Sequence, residues 1–259
     1  MKSKSLALNA FLNSVRSILN ILFPLITFPY VSRRLTVNGM GIYNFSNSIV
    51  SYFLLIAALG VNTYAIREGA KFRNNKEKIT EFSSEVFTIN ICSTLISYLL
   101  LFLCLLIFSK LYNYLWCILI FSLQIFFTTI GTEWIYQIYE DYTFITIRSI
   151  IFQIISIILL FAFIMGPHDY LTYAAITVFS VVGSNILNFI YARKYCHMHL
   201  VFHFDWKKHL IPIFILFAAG IANMIYVNSD ITLLGLMKSD YIVGIYTVSS
   251  KVYSIVKTL

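Results

Sequence analysis

Apolar runs about as long as a membrane span alternate with short charged turns along the whole chain. A helix needs ~20 apolar residues to cross ~30 Å of hydrocarbon. Runs bounded by charge predict a first helix within Leu6–Ser32, interrupted by Arg16, and a second within Leu35–Ile66. Further helices are predicted at Val86–Ser109, Leu111–Thr132, Ser149–Pro167, Tyr170–Ala192 and Leu210–Ser229, and an eighth from near Tyr241 to Leu259. The turns, such as Lys110–Tyr114 and Gly166–Asp169, are too short to fold as a soluble domain. The fold class expected is all-α, a polytopic transmembrane helix bundle, with any function placed among the helices.

Composition supports lipid as the solvent. Of 259 residues, 59% are hydrophobic and only 12% charged. Soluble domains usually run near ~25% charged, because a core needs a polar shell. The net charge of +8 does not point to nucleic acid, since the basic residues are spread over short turns rather than gathered in one patch. Twelve Lys and Arg fall in turns on the side of the N-terminus, and four (Arg33, Arg34, Lys110, Lys238) on the other. Cytoplasmic turns carry the excess of such residues. The N-terminus is therefore expected in the cytoplasm, the chain in an inner membrane, and the first helix retained as an anchor. Cys92, Cys104 and Cys117 lie in apolar stretches, and no CxxC pair occurs. Cys196, His199 and His203 share one cytoplasmic turn without a second ligand pair, so no metal and no cofactor are expected.

A short repeat is visible. Gly41-Ile42-Tyr43-Asn44-Phe45-Ser46 and Gly244-Ile245-Tyr246-Thr247-Val248-Ser249 both read GIYxxS, 203 residues apart, at the outer ends of predicted helices. Six helices separate them, so both copies point the same way, as in parallel transporter repeats. On this reading residues 1–208 form a six-helix first half and residues 209–259 begin a second, which implies that the sequence is cut short at its C-terminus.

Motifs at the helix ends carry a resemblance. Pro29-Tyr30-Val31-Ser32-Arg33 and Gly39-Met40-Gly41-Ile42-Tyr43-Asn44 follow the first helix, and Leu59-Gly60-Val61-Asn62-Thr63-Tyr64-Ala65-Ile66-Arg67-Glu68 ends the second. Glu133-Trp134-Ile135-Tyr136-Gln137 through Glu140, with Thr146-Ile147-Arg148, follows the fourth. Tyr226-Val227-Asn228-Ser229-Asp230 leads to Leu234-Gly235 and Val243-Gly244-Ile245-Tyr246. Ala65 and Ile138 stand where this pattern has glycine. The string resembles the Wzx-type polysaccharide flippases of the multidrug/oligosaccharidyl-lipid/polysaccharide exporter superfamily. The resemblance implies a non-enzymatic flippase. It would carry an undecaprenyl-diphosphate-linked oligosaccharide from the inner to the outer leaflet for O-antigen or a related surface polysaccharide. The implied partners are that lipid-linked oligosaccharide, membrane lipid and polysaccharide polymerases. Two other functions stand beside it: a drug or cation antiporter of the same superfamily, and a membrane enzyme that modifies glycans.

An anionic diphosphate crossing a low-dielectric slab needs a polar, positively charged path, and ionisable residues inside helices usually face a cavity. Lys251 lies ~15 Å into the eighth helix at 1.5 Å per residue, and Arg16 about as deep in the first. Both are candidates for the substrate pathway, with snorkelling to the interface as the alternative. Asp230, near the outer end of the seventh helix, is a third candidate, or else an interfacial ion pair. Pro24 and Pro29 remove backbone donors and should kink the first helix, as a static bend or a gate. Glu133, Trp134, Tyr136, Tyr139 and Tyr142 read as an interfacial aromatic belt, and all five histidines as loop residues.

Overall fold

The computed structural model describes residues 6–258, except for some side chains near the two ends. Its regular secondary structure is helical among the described residues, joined by turns and by a loop over residues 193–205. α1 (Leu6–Arg34), α2 (Val37–Ala58), α3 (Val61–Gly69) and α4 (Lys76–Ile107) are followed by α5 (Leu115–Gly131) and the single-turn α6 (Trp134–Ile138). α7 (Tyr142–Phe163), α8 (Tyr170–Ala192), α9 (Trp206–Met237) and α10 (Asp240–Thr258) complete the chain. Among the described residues six helical stretches are long and apolar enough to cross a membrane, and the protein is a multi-pass membrane protein. α1 and α10, which hold Arg16 and Lys251, are not among the six.

Helix ends depart from the apolar runs for identifiable reasons. The second predicted helix breaks at Leu59 (φ 45°) and Gly60 (φ 77°). The break frees the Ala57 carbonyl, which accepts from Asn90 Nδ2 at 2.7 Å and Ser93 Oγ at 2.6 Å on α4. α4 starts ten residues before the predicted Val86. Asn75 caps it, accepting from the backbone N–H groups of Glu77 (3.1 Å) and Lys78 (3.0 Å). α7 starts at Tyr142, before the predicted Ser149, and α9 runs from Trp206 to Met237, well beyond the predicted Ser229.

Polar groups hold the bundle together inside and apolar ones cover it outside. Ser97 donates to the Phe53 carbonyl at 2.6 Å, and Thr94 and Thr129 bond at 2.6 Å, so hydroxyls join α2, α4 and α5. Leu95, Leu99, Phe102 and Leu106 of α4 recur at helical spacing and are all exposed. That is the surface a hydrocarbon solvent selects.

Two opposite faces emerge. On one, the Thr36 N–H bonds the Pro167 carbonyl at 3.2 Å, joining the α1–α2 and α7–α8 turns. Lys110 Nζ donates to the Leu236 carbonyl at 2.9 Å, and Tyr114 Oη to Asp240 at 2.5 Å, which ties the α4–α5 turn to the start of α10. On the other face, Arg73 pairs with Glu140 at 2.8 Å across the α3–α4 and α6–α7 turns. Here Lys71, Lys76, Arg193, Lys194, Lys207 and Lys208 gather, so this is the basic face.

The two GIYxxS segments meet at the opposite, lysine-poor face. A Cβ on Gly41 would lie 1.9 Å from the Asp240 carbonyl oxygen, and one on Gly244 would lie 2.1 Å from the Val37 carbonyl oxygen. Each glycine thus lets its helix approach the residue four positions before the other glycine. Only a residue without a side chain permits that separation.

Candidate functional site

The pathway candidates are distributed along α9, α10 and α1. Asp230 lies seven residues before the end of α9, about 10 Å below its tip rather than at it. Tyr246 of α10 donates its hydroxyl to the Asp230 carboxylate. Two residues on, Thr232 bonds Ser48 at 3.2 Å and Tyr52 at 3.3 Å, linking α9 to α2. Lys251 sits eleven residues into α10, about 16 Å along it, with an exposed side chain. The Arg16 side chain lies outside the described residues. Pro24 and Pro29 both fall inside α1, which runs through them without interruption.

Sequence reasoning passed over three polar clusters. In the first, Arg148 is only 5% exposed and pairs through Nη2 with Glu133 Oε2 at 2.8 Å. Its Nη1 donates to Asn188 of α8, and the Tyr136 hydroxyl donates to the Asn188 carbonyl. Trp134 and Tyr136 are buried, so these two are packed core and not part of an interfacial belt, while Glu133, Tyr139 and Tyr142 are half-buried. The reason is the left-handed Thr132 (φ 39°), which ends α5 and turns α6 inward. The signal was present: an acid and an arginine in one motif, fifteen residues apart.

In the second cluster His209 lies in the first turn of α9, not in a loop, and is buried. Tyr64 Oη lies 2.8 Å from its Nδ1 and Glu85 Oε2 lies 3.0 Å from its Nε2. Residues 145 and 124 positions away thereby fasten the basic end of α9 to α3 and α4.

The third cluster is a cavity of about 950 Å³ at the basic face, beside α7 and α8. Its rim holds Arg73, Lys76 and Lys194, and its deeper wall holds Ile147, Ile151 and Leu187. Tyr195 donates to Asp141 at 2.5 Å, and burial together with that carboxylate raises the phenol above its ordinary range. Lys194 Nζ donates to Tyr191 at 2.8 Å, and this bond raises the ammonium above its usual value. Cys196 is buried, and burial raises its thiol. His199 bonds Ser84 instead of facing Cys196 as a ligand pair, with its backbone N–H 3.3 Å from the Ser84 hydroxyl. Among the described residues, no group of three His, Cys, Asp or Glu could hold a metal.

The model of a family described as polysaccharide biosynthesis protein matches residues 6–259. A protein of Escherichia coli (strain K12) named "Putative O-antigen transporter" is 24% identical over 244 residues, covering 90% of this chain and 57% of its own length. A protein of Shigella dysenteriae with the same name is 23% identical, covering 90% of this chain and 59% of its own. The chain thus spans a little over half the length of these relatives. No solved structure matches the chain significantly.

Proposed function

Because the chain belongs to the polysaccharide biosynthesis protein family, we propose that it is part of a flippase for an undecaprenyl-diphosphate-linked oligosaccharide, moving it from the inner to the outer leaflet of the plasma membrane. The observation that carries this reading is the family match over residues 6–259 together with two relatives named as O-antigen transporters. Residues 1–208 act as one half and residues 209–259 open a second, parallel half; the reciprocal approach of Gly41 and Gly244 supports that pairing. α1, α2, α9 and α10 line the path between the halves. Lys251 and Arg16 offer positive charge to the diphosphate. Asp230 and its Tyr246 partner offer hydrogen bonds to the glycan. α1, softened by Pro24 and Pro29, rocks as the path opens. The N-terminus lies in the cytoplasm and the basic face meets the inner leaflet, in line with the excess of Lys and Arg on cytoplasmic turns.

Deleting the gene in its own host should stop display of the surface polysaccharide and accumulate lipid-linked repeat units on the cytoplasmic side. Restoring the natural full-length protein should reverse both. Unchanged display in the deletion strain, with drug sensitivity appearing instead, would overturn the reading in favour of an antiporter.

Charge in the pathway has its own test in the full-length protein. A cation placed at mid-membrane costs ~2.5–3.5 kcal/mol on the insertion scale, so a lysine kept at that depth is expected to be used. Lys251→Ala should cut polysaccharide output per membrane-inserted molecule. Lys251→Arg should keep part of it, and Lys251→Glu should fall below Ala. Wild-type output from Lys251→Ala at normal abundance would remove Lys251 from the pathway.

Orientation is checked by fusion. A reporter active only in the periplasm should be on after Lys110 or Asp169 and off after Lys76 or Lys207. The reverse pattern would invert the membrane placement.

A further inference from the structure

Among the described residues, the cavity beside α7 and α8 takes no wall from α9 or α10, which sets it apart from the proposed path. Its chemistry is graded. Arg73, Lys76 and Lys194 stand at the rim, while Ile147, Ile151 and Leu187 are 53%, 47% and 42% exposed in the wall beneath them. A purely aqueous vestibule has no use for exposed isoleucine, and a bare lipid-facing groove has no use for lysine. The combination fits an amphiphile with a negative head.

The charge balance selects an anion. The cavity walls hold two carboxylates, and both have partners: Glu140 takes Arg73 at 2.8 Å and Asp141 accepts the Tyr195 hydroxyl at 2.5 Å. Arg148, at the back, is paired with Glu133, but its Nε is buried without a hydrogen-bond partner. Among the described residues no carboxylate lies within ion-pair distance of Lys76 or Lys194. Tyr191 fixes the Lys194 ammonium with one hydrogen bond at 2.8 Å and leaves its other N–H groups available. A volume of about 950 Å³ exceeds what a phosphate group needs and leaves room for a glycerol backbone.

We propose that this cavity is a binding site for the phosphate headgroup of an anionic phospholipid, which enters sideways from the leaflet at the basic face. Lys76 and Lys194 hold the phosphate, and the acyl chains descend along Ile147, Ile151 and Leu187. Basic pockets between helices at this level are where membrane proteins recognise acidic lipids. The lipid stays in place and is not transported: among the described residues, every wall of the cavity belongs to residues 73–195 and none to α9 or α10.

The test is native mass spectrometry of the full-length protein in neutral detergent, titrated separately with phosphatidylglycerol, phosphatidylcholine and undecaprenyl phosphate. Phosphatidylglycerol should be retained over phosphatidylcholine of equal chain length. Lys76→Gln with Lys194→Gln should lower that retention about fivefold per lysine removed. Both lysines are exposed, so the lipid-free melting temperature should not move. The pair Lys207→Gln and Lys208→Gln, on the same face but outside the cavity, should leave retention unchanged. Equal retention of phosphatidylcholine overturns the proposal, as does wild-type binding by the Lys76/Lys194 variant or equal loss in the Lys207/Lys208 control. Lysine-dependent capture of undecaprenyl phosphate without capture of phosphatidylglycerol would assign the site to the transported lipid and overturn it as well. None of these outcomes depends on flippase activity, so the proposal and the flippase reading fail separately.

Discussion

Arg148→Met should destabilise the folded protein by about 3 kcal/mol and lower its abundance in the membrane. Removing one partner of a buried ion pair costs ~3–5 kcal/mol, because the remaining charge is left without compensation. Glu133 is 27% exposed and can recruit some water, which places the expected cost at the lower end. The loss is compounded at Asn188, whose side-chain oxygen loses the Arg148 donor while its carbonyl stays bound by Tyr136. Combining Arg148→Met with Glu133→Gln should cost clearly less than the two single changes added, with a coupling on the order of 1–3 kcal/mol. Unfolding of the purified protein in mixed micelles measures all three. A wild-type midpoint for Arg148→Met would show that the pair does not hold α7 against the α5–α6 turn.

Gly41→Val and Gly244→Val should each force α2 and α10 apart. The added Cβ would sit 1.9 Å or 2.1 Å from a backbone carbonyl oxygen, and a helix backbone cannot rotate away as a side chain can. Overpacking of this kind costs ~1–3 kcal/mol in stability. The larger effect is expected on function: each variant of the full-length protein should lose more than about tenfold in polysaccharide output, a barrier change of roughly 1.4 kcal/mol. The contact is reciprocal, so the two variants should behave alike. Gly166→Ala is the control, because its Cβ would meet nothing nearer than the Asp169 carboxylate at 3.4 Å. Normal output and stability for both valine variants would show that this close approach is dispensable.

The all-helical class, the alternation of chain direction and the gathering of Lys and Arg on one face are legible from the order of apolar and charged positions. Lipid imposes those features residue by residue: each span must satisfy its own backbone, and each turn must suit the water or leaflet it meets. The two GIYxxS segments are visible in the sequence, but that their glycines meet across α2 and α10 is decided by packing. The exact helix ends were not legible. Hydropathy records contact with lipid, so it missed the polar starts of α4 at Lys76 and α7 at Tyr142, which lie against protein or water. It also ended the seventh helix at Ser229, although Asp230 and Thr232 continue it with partners on α10 and α2.

Which polar residues answer one another depends on how the helices pack. Arg148 counted as one more cytoplasmic charge until Glu133 and Asn188 were found beside it. His209 read as a loop residue until Tyr64 and Glu85 enclosed it. The partners lie fifteen to 145 residues away, and no local pattern of apolar and polar positions encodes such distances. A buried charge is tolerated only where its partner arrives, and the partner arrives only when the helices pack.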